Sequence, residues 1–278
     1  MKGLICLDID GTITANPNVI PQPMVECLHL LYTRGWQFLF ATGRTFTFAQ
    51  KTLADIHFPY FFALQNGSDL LRMPEKKPIA KHYLSSSVIA LIEEVTKGEE
   101  EDFLVYAGWE RGDFCYYRPA KFSPYILDHI NIINKYSAKS WQEVQQFCFS
   151  EEDTFPLIKY LGSKEGMHRV YEKIRHVDGI EVSYIKDPVS EGVYLNLITA
   201  PLACKGEAVR QVRSLLPKGT FCIAAGDDLN DVSMLKEADI AIAVGAAPAS
   251  LLHVADIVAK PASEMGLIEA LLKVTKEG

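Results

Sequence analysis

Asp8 and Asp10 stand one residue apart, directly after the apolar run Gly3 to Leu7 and directly before Gly11-Thr12. Residues i and i+2 of an extended segment face the same side, so both carboxylates can serve one site at the end of a strand. One carboxylate can attack phosphorus once the phosphoryl charge is screened, while the other protonates a leaving oxygen and later deprotonates water. Gly11 permits a sharp turn, and Thr12 a hydrogen bond within that turn. A capped turn with two solvated aspartates is the plainer reading of the same residues. A calcium loop fails on spacing, because glycine stands fourth rather than sixth and Val19 occupies the twelfth position, where a glutamate is needed.

Three further stretches carry chemistry-bearing residues. Ala41-Thr42-Gly43-Arg44 ends a second apolar run, a position where Thr-Gly is also an ordinary strand-to-helix turn. Arg44 is equally suited to pairing with a core acid and to contacting a substrate. Lys205 opens a helical pattern, and Gly226-Asp227-Asp228-Leu229-Asn230-Asp231 follows another apolar run. Asp228 or Asn230 there also suits a helix N-cap. The seven histidines show neither HxxxH nor HExxH spacing, which argues against zinc, and no GxxxxGK[ST] is present, so there is no P-loop. Glu99-Glu100-Glu101-Asp102 reads as a solvated acidic turn.

These residues need strands and helices to place them. Gly3 to Leu7, Gln37 to Ala41, Thr220 to Ala225 and Asp239 to Val244 read as strands buried on both faces of a parallel sheet, whose carboxyl ends carry function. Between them, Pro23 to Tyr32 is helical, bracketed by prolines before it and Gly35 after it. Lys205 to Leu216 is helical too, with Ala208, Val209, Val212, Leu215 and Leu216 on one stripe. Alternating strand and helix make this part α/β. Residues 81–190 differ in texture, with hairpin-like pairs around Glu110-Arg111-Gly112, helices over Ser85 to Thr96 and Lys164 to Val177, and strands over Pro156 to Leu161, Ile180 to Lys186 and Val193 to Thr199, the last returning to the core. The expected division is a core of residues 1–80 and 191–278 and an inserted α+β module of residues 81–190. The module's aromatics Tyr106, Trp109, Tyr116 and Tyr117 are read as core rather than as a substrate pocket.

Composition narrows the partners. At 48% hydrophobic and 23% charged residues the chain has enough apolar surface for a sizeable core, which argues against disorder. A formal charge of −7, without Lys/Arg runs interleaved with aromatics, argues against nucleic acid. No apolar run approaches membrane-spanning length, and the N-terminus reaches Asp8 too soon for a signal peptide, so a cytoplasmic location is expected and Asn66-Gly67-Ser68 is not read as a glycosylation site. Six scattered cysteines without a CxxC pair read as reduced core residues.

In chain order, Leu7-Asp8-Ile9-Asp10-Gly11-Thr12, Ala41-Thr42-Gly43-Arg44, Lys205 and Gly226-Asp227-Asp228-Leu229-Asn230-Asp231 resemble the four motifs of the haloacid dehalogenase superfamily. Gln65-Asn66-Gly67-Ser68 and Glu237 to Gly245 are similar to its Cof-like branch, subfamily IIB, and the insertion lies where that branch carries a large α/β cap. After Val244, Gly245-Ala246-Ala247-Pro248 departs from the usual Met-Gly-Asn-Ala-like turn, so nothing is carried over for that loop.

The resemblance implies an α/β fold, a Rossmann-like parallel-sheet core with an inserted α+β cap that closes over it and supplies selectivity. It implies Asp8 as nucleophile, Asp10 as acid and base, and Thr42 and Lys205 as charge-stabilising groups. Mg²⁺ is implied on the side chains of Asp8 and Asp227 and the main-chain carbonyl of Asp10, with Asp231 in the metal-binding set and, together with Asn230, orienting Lys205, water or phosphate. Gly43, Arg44, Asn66 and Asn230 are the implied substrate contacts. The expected activity is Mg²⁺-dependent hydrolysis of a small phosphorylated metabolite, a sugar phosphate before pyridoxal phosphate or nucleotides, through an aspartyl-phosphate. A phosphomutase and a catalytically silent regulatory protein are the alternatives. The protein is expected as a monomer or homodimer, with no nucleic-acid or membrane partner.

Overall fold

The computed structural model describes residues 1–16, 18–135, 137, 139–187 and 190–276. Contacts divide the chain into two compact units, one of Met1–Arg44, Ala49–Lys81 and Leu202–Gly278, the other of Thr45–Phe48 and His82–Pro201.

The first unit is built on one eight-stranded sheet, in the order Ile257–Ala259, Ile240–Val244, Cys222–Gly226, Gly3–Asp8, Trp36–Ala41, Tyr60–Leu64, Asp69–Met73 and Lys77–Lys81. The first six strands run parallel, and the last two add an antiparallel edge. The four apolar runs expected as parallel strands are all present, and Tyr60–Leu64, with every residue buried, is a further one outside those expectations.

Successive residues of a strand point to opposite faces. On one face Cys6, Leu39, Phe61 and Ala224 pack with Val209 and Val212 of the helix Lys205–Ser214. On the other, Phe38 lies against Phe40 and Phe58. Burying each such large side chain contributes roughly 1.5–3 kcal/mol, so it is the double-sided covering that holds the sheet rigid.

The helix Gln22–Thr33 starts with Pro23 in its first turn and buries Met24, Val25, Cys27, Leu28 and Leu31. Lys205–Ser214 is shorter than expected: Leu215 becomes its C-cap and is 57% exposed, because the chain leaves the helix before Leu215 can join the buried stripe.

The second unit holds a six-stranded sheet in the order Glu181–Lys186, Tyr194–Thr199, Ile158–Gly162, Phe103–Tyr106, Cys115–Tyr117 and Gln142–Glu143, antiparallel except for its last pair. The helices Ser86–Val95, Pro124–Asn134 and Lys164–Ile174 belong to it. It is α+β, and its hairpin pairs Phe103–Tyr106 with Cys115–Tyr117.

The strand expected to return to the core does not. Tyr194–Thr199 lies inside this second sheet, since Leu195 is buried in one of the unit's hydrophobic clusters and Ile198 in the other. The acidic run also departs from expectation. Asp102 is buried and accepts from Arg118 at 2.6 and 2.7 Å, Glu99 pairs with Lys173 at 2.6 Å, Glu101 accepts from the Ser123 N–H, and Glu100 alone of the four is exposed.

Tyr106 and Tyr117 are core residues, Tyr116 is half-buried against Phe149, and Trp109 packs on Phe46. All six cysteines are free thiols. Cys6, Cys27, Cys115 and Cys222 are buried, whereas Cys148 is exposed and Cys204 half-buried, because neither sits within a strand or on an apolar helix face.

Candidate active site

Four adjacent parallel strands end at one edge of the first unit's sheet. Cys222–Gly226 leads into Asp227, Gly3–Asp8 ends in Asp8, Trp36–Ala41 leads into Thr42, and Tyr60–Leu64 leads into Gln65 and Asn66. Ligands of open α/β sheets bind at this end, because the loops there diverge and leave room between them.

The centre of the site is Lys205. Although only 1% exposed, its ammonium lies 2.6 Å from Asp8 Oδ1 and 2.5 Å from Asp231 Oδ1. The helix that carries it begins at Cys204, whose Sγ accepts from the Glu207 N–H, and Ser233 Oγ accepts from the Gly206 N–H.

Asp231 is fully buried, and its second oxygen accepts from the N–H groups of Asp227 and Asp228. Both oxygens are therefore engaged, one fixing the lysine and the other the loop after the strand. Asp228 is the N-cap of the short 3-10 helix Leu229–Asp231, in a capping box with Asp231.

Thr12 bonds across the site rather than within its own turn: its hydroxyl donates to Asp227 Oδ1 at 3.0 Å. Gly11 makes this approach possible. Its φ is +76°, and a β-carbon there would stand 2.1 Å from Asp227 Oδ2.

Asp8, Asp227 and Asp231 offer carboxylate oxygens within 4.8 Å of one another. Three acids thus face the single ammonium of Lys205 among the described residues of the cluster. Burial pushes the Asp8 carboxyl well up, Lys205 pulls against that, and Asp231 and Asp227 add to the rise. Burial and then Asp231 push Asp227 up to about 6. Burial disfavours the Lys205 charge, yet Asp231 and Asp8 outweigh it and hold its pKa above the usual lysine value. A compact set of oxygen donors with surplus negative charge fits a hard divalent cation.

Asp10 lies apart from that cluster. Its carboxylate is half exposed and accepts from Arg44 through both oxygens, Nε at 2.6 Å and the second guanidinium nitrogen. Arg44 also donates to Thr52 Oγ1 at 2.6 Å, so it is buried against an acid of the site itself. Thr42 is buried, and its hydroxyl oxygen accepts the Arg44 N–H at 3.1 Å, which leaves the hydroxyl proton available to donate. Gly43 is exposed between them, where a β-carbon would stand 3.3 Å from Asn66 Oδ1. Asn66 Oδ1 accepts from Asn230 Nδ2 at 3.0 Å.

The residues proposed from the sequence thus lie at this one sheet edge: Asp8, Lys205 and Asp231 share a buried cluster with the half-buried Asp227, while Asp10 with Arg44, Asn66 with Asn230, and the Thr42–Gly43 loop flank it. Sequence reasoning missed the roles of Ser233 and of Gln65, which is 2% exposed. The Asp228-x-x-Asp231 spacing was a readable signal for the capping box; Ser233 had none, and Gln65 stood out only as part of the Gln65-Asn66-Gly67-Ser68 stretch that carries the resemblance.

The family model for haloacid dehalogenase-like hydrolases matches residues 5–271. A Bacillus subtilis protein named "Putative phosphatase YkrA" is 23% identical over 273 residues, covering 96% of both chains. Among solved structures, a haloacid dehalogenase-like hydrolase from Bacteroides thetaiotaomicron superposes with a TM-score of 0.78 at 22% identity, over 99% of this chain and all of that one. A sugar phosphatase of subclass IIB superposes at 0.72 and 19% identity, over 98% of this chain and 99% of its own.

Proposed function

The chain belongs to the haloacid dehalogenase-like hydrolases, and on that premise we propose that it is a cytoplasmic, Mg²⁺-dependent phosphohydrolase that cleaves a small phosphate monoester through a phosphorylated Asp8. The observation that carries this reading is the buried Asp8–Lys205–Asp231 chain with Asp227 beside it.

Lys205 engages Asp8 Oδ1, so Oδ2 is the oxygen that attacks phosphorus, forming the Oδ2–P bond as the ester P–O bond breaks. Lys205 and the Thr42 hydroxyl stabilise charge on the phosphoryl oxygens. Asp10 gives its proton to the departing alkoxide, then accepts one from the water that hydrolyses the aspartyl-phosphate. For this the Arg44–Asp10 pair has to loosen, because a carboxylate held through both oxygens carries no proton to give. Mg²⁺, held by the Asp8 and Asp227 carboxylates and the Asp10 main-chain carbonyl, supplies positive charge for the phosphoryl group when bound. Asp231 and Asn230 act as orienting groups.

A sugar phosphate is the first substrate class, supported by the fold shared with a solved subclass IIB sugar phosphatase. The same reading takes the inserted unit as the source of selectivity. It takes the protein as a monomer or homodimer whose partner is a small phosphorylated metabolite, neither nucleic acid nor membrane. The formal charge of −7 supports the reading that nucleic acid is not a partner.

The test is phosphate release by the purified protein, with and without Mg²⁺, over sugar phosphates, nucleotides and pyridoxal phosphate. Asp8→Asn should lose at least about a thousandfold in turnover. Full turnover by that variant, or no phosphate released from any ester, sinks the reading.

A further inference from the structure

Gln65, Asn66 and Gly67 follow the strand Tyr60–Leu64 with φ of 47°, 61° and 103°, three left-handed residues in succession, the first two bearing side chains. Non-glycine residues adopt this conformation rarely, and such outliers persist where surrounding contacts impose them.

The contacts here are specific. The Gln65 N–H donates to Arg44 O at 3.0 Å, and the Asn66 N–H to Thr42 O at 2.9 Å. Asn66 Oδ1 accepts from Asn230 Nδ2 at 3.0 Å. Gly67 lies so close to the residue preceding Lys205 that a β-carbon would stand 2.6 Å from Cys204 O and 3.0 Å from its carbonyl carbon. The Gln65 carbonyl is occupied by the Ser68 N–H and hydroxyl, which closes the turn on itself. Three consecutive residues therefore touch the loop that carries Thr42 and Arg44, the start of the helix that carries Lys205, and the side chain of Asn230.

We propose that the Gln65–Gly67 turn is the positioning element of this site: it fixes the spacing between Thr42, Lys205 and Asn230, and Asn66 acts through Asn230 and the Thr42 loop rather than on the substrate. An extended or right-handed backbone at these residues would swing the two N–H groups away from Thr42 O and Arg44 O. A side chain at residue 67 would push the Cys204–Lys205 junction outward. Both Thr42 and Lys205 are assigned to the phosphoryl oxygens, so an error in their separation is an error in the transition state and appears in turnover more than in ground-state affinity. The proposal rests on the phosphohydrolase reading for its kinetic consequence, while its structural content stands on the turn alone.

The experiment uses Asn66→Gly, which keeps the left-handed backbone and removes the acceptor, with Asn230→Ala, the double variant, and Gly67→Ala, all in the full chain. Hydrolysis of p-nitrophenyl phosphate with Mg²⁺ and crystal structures of the variants are the readouts. Asn66→Gly and Asn230→Ala should each lower kcat by about tenfold with KM within about twofold, and the double variant should fall no further than the worse single one. In crystals of Gly67→Ala the Thr42 Oγ1 to Lys205 Nζ separation should change by more than about 0.5 Å. Additive losses with a raised KM would put Asn66 on the substrate and overturn the proposal, as would wild-type kcat in Asn66→Gly. If the unsubstituted protein hydrolyses no ester, the phosphohydrolase reading falls and the crystals still decide. A shifted Thr42–Lys205 separation then upholds the turn as a positioning element, and an unchanged one removes it.

Discussion

Replacing Lys205 with methionine keeps an unbranched apolar stem of similar reach and removes the ammonium that Asp8, Asp227 and Asp231 face. At 2.6 Å to Asp8 and 2.5 Å to Asp231, and an effective dielectric constant near 20, each of its two ion pairs amounts to about 6 kcal/mol of Coulomb energy, most of it offset by the desolvation of the charges. Removing one partner of a buried pair costs about 3–5 kcal/mol, because the remaining charge stays buried without compensation. For a chain of this size that corresponds to a fall in Tm of roughly 10 °C.

The sign with pH follows from the carboxyls left behind. Without Lys205 their folded pKa values rise further, so the folded state holds protons that the unfolded chain releases, and stability drops as pH increases. The loss in Lys205→Met should therefore be small near pH 5 and full near pH 8. Calorimetry in EDTA at both pH values measures it, and titration with Mg²⁺ should return part of it, about 2.7 kcal/mol at a hundredfold excess over Kd. A loss below about 1 kcal/mol, or one that is equal at the two pH values, would refute the electrostatic account of the site.

Other consequences are open to direct measurement. In EDTA the unsubstituted protein should lose stability as pH rises from about 4 through 6, because Asp227 titrates near 6 when folded and near 3.8 when unfolded; saturating Mg²⁺ should flatten that slope in a calorimetric pH series. Gly11→Ala should weaken Mg²⁺ binding in titration calorimetry and lower turnover more than tenfold (roughly, for a displacement near 1 Å), since its β-carbon would stand 2.1 Å from Asp227 Oδ2 and push that carboxylate away. Arg118→Met strands the buried Asp102 inside the second unit, at a cost of about 3–5 kcal/mol, so hydrogen exchange should accelerate within residues 82–201 and stay unchanged in the strand Gly3–Asp8.

The sheet edge and its charged residues were legible along the chain. Three of the four apolar runs stop at an aspartate or a Thr-Gly pair, and that local pattern placed Asp8, Thr42 and Asp227 at strand ends without any knowledge of the fold. Periodicity likewise revealed the helix behind Lys205 and its buried residues Ala208, Val209 and Val212. These are properties of neighbours along the chain.

Tertiary structure alone decided which strand each side chain bonds to. The Thr12 hydroxyl reaches Asp227, 215 residues away, instead of its own turn, and Arg44 turns its guanidinium onto Asp10 and Thr52. Tyr194–Thr199 joins the second unit's sheet because Leu195 and Ile198 find apolar partners there on both faces, a fact that no alternation in its own six residues contains. Asp102 became buried for a similar reason: Arg118 was folded against it, so an acidic run that looked solvated gained a partner. Hydrophobic period and turn chemistry act over a few residues and can be read locally, whereas a hydrogen bond or ion pair between distant segments exists only after the backbone has brought donor and acceptor within about 3 Å.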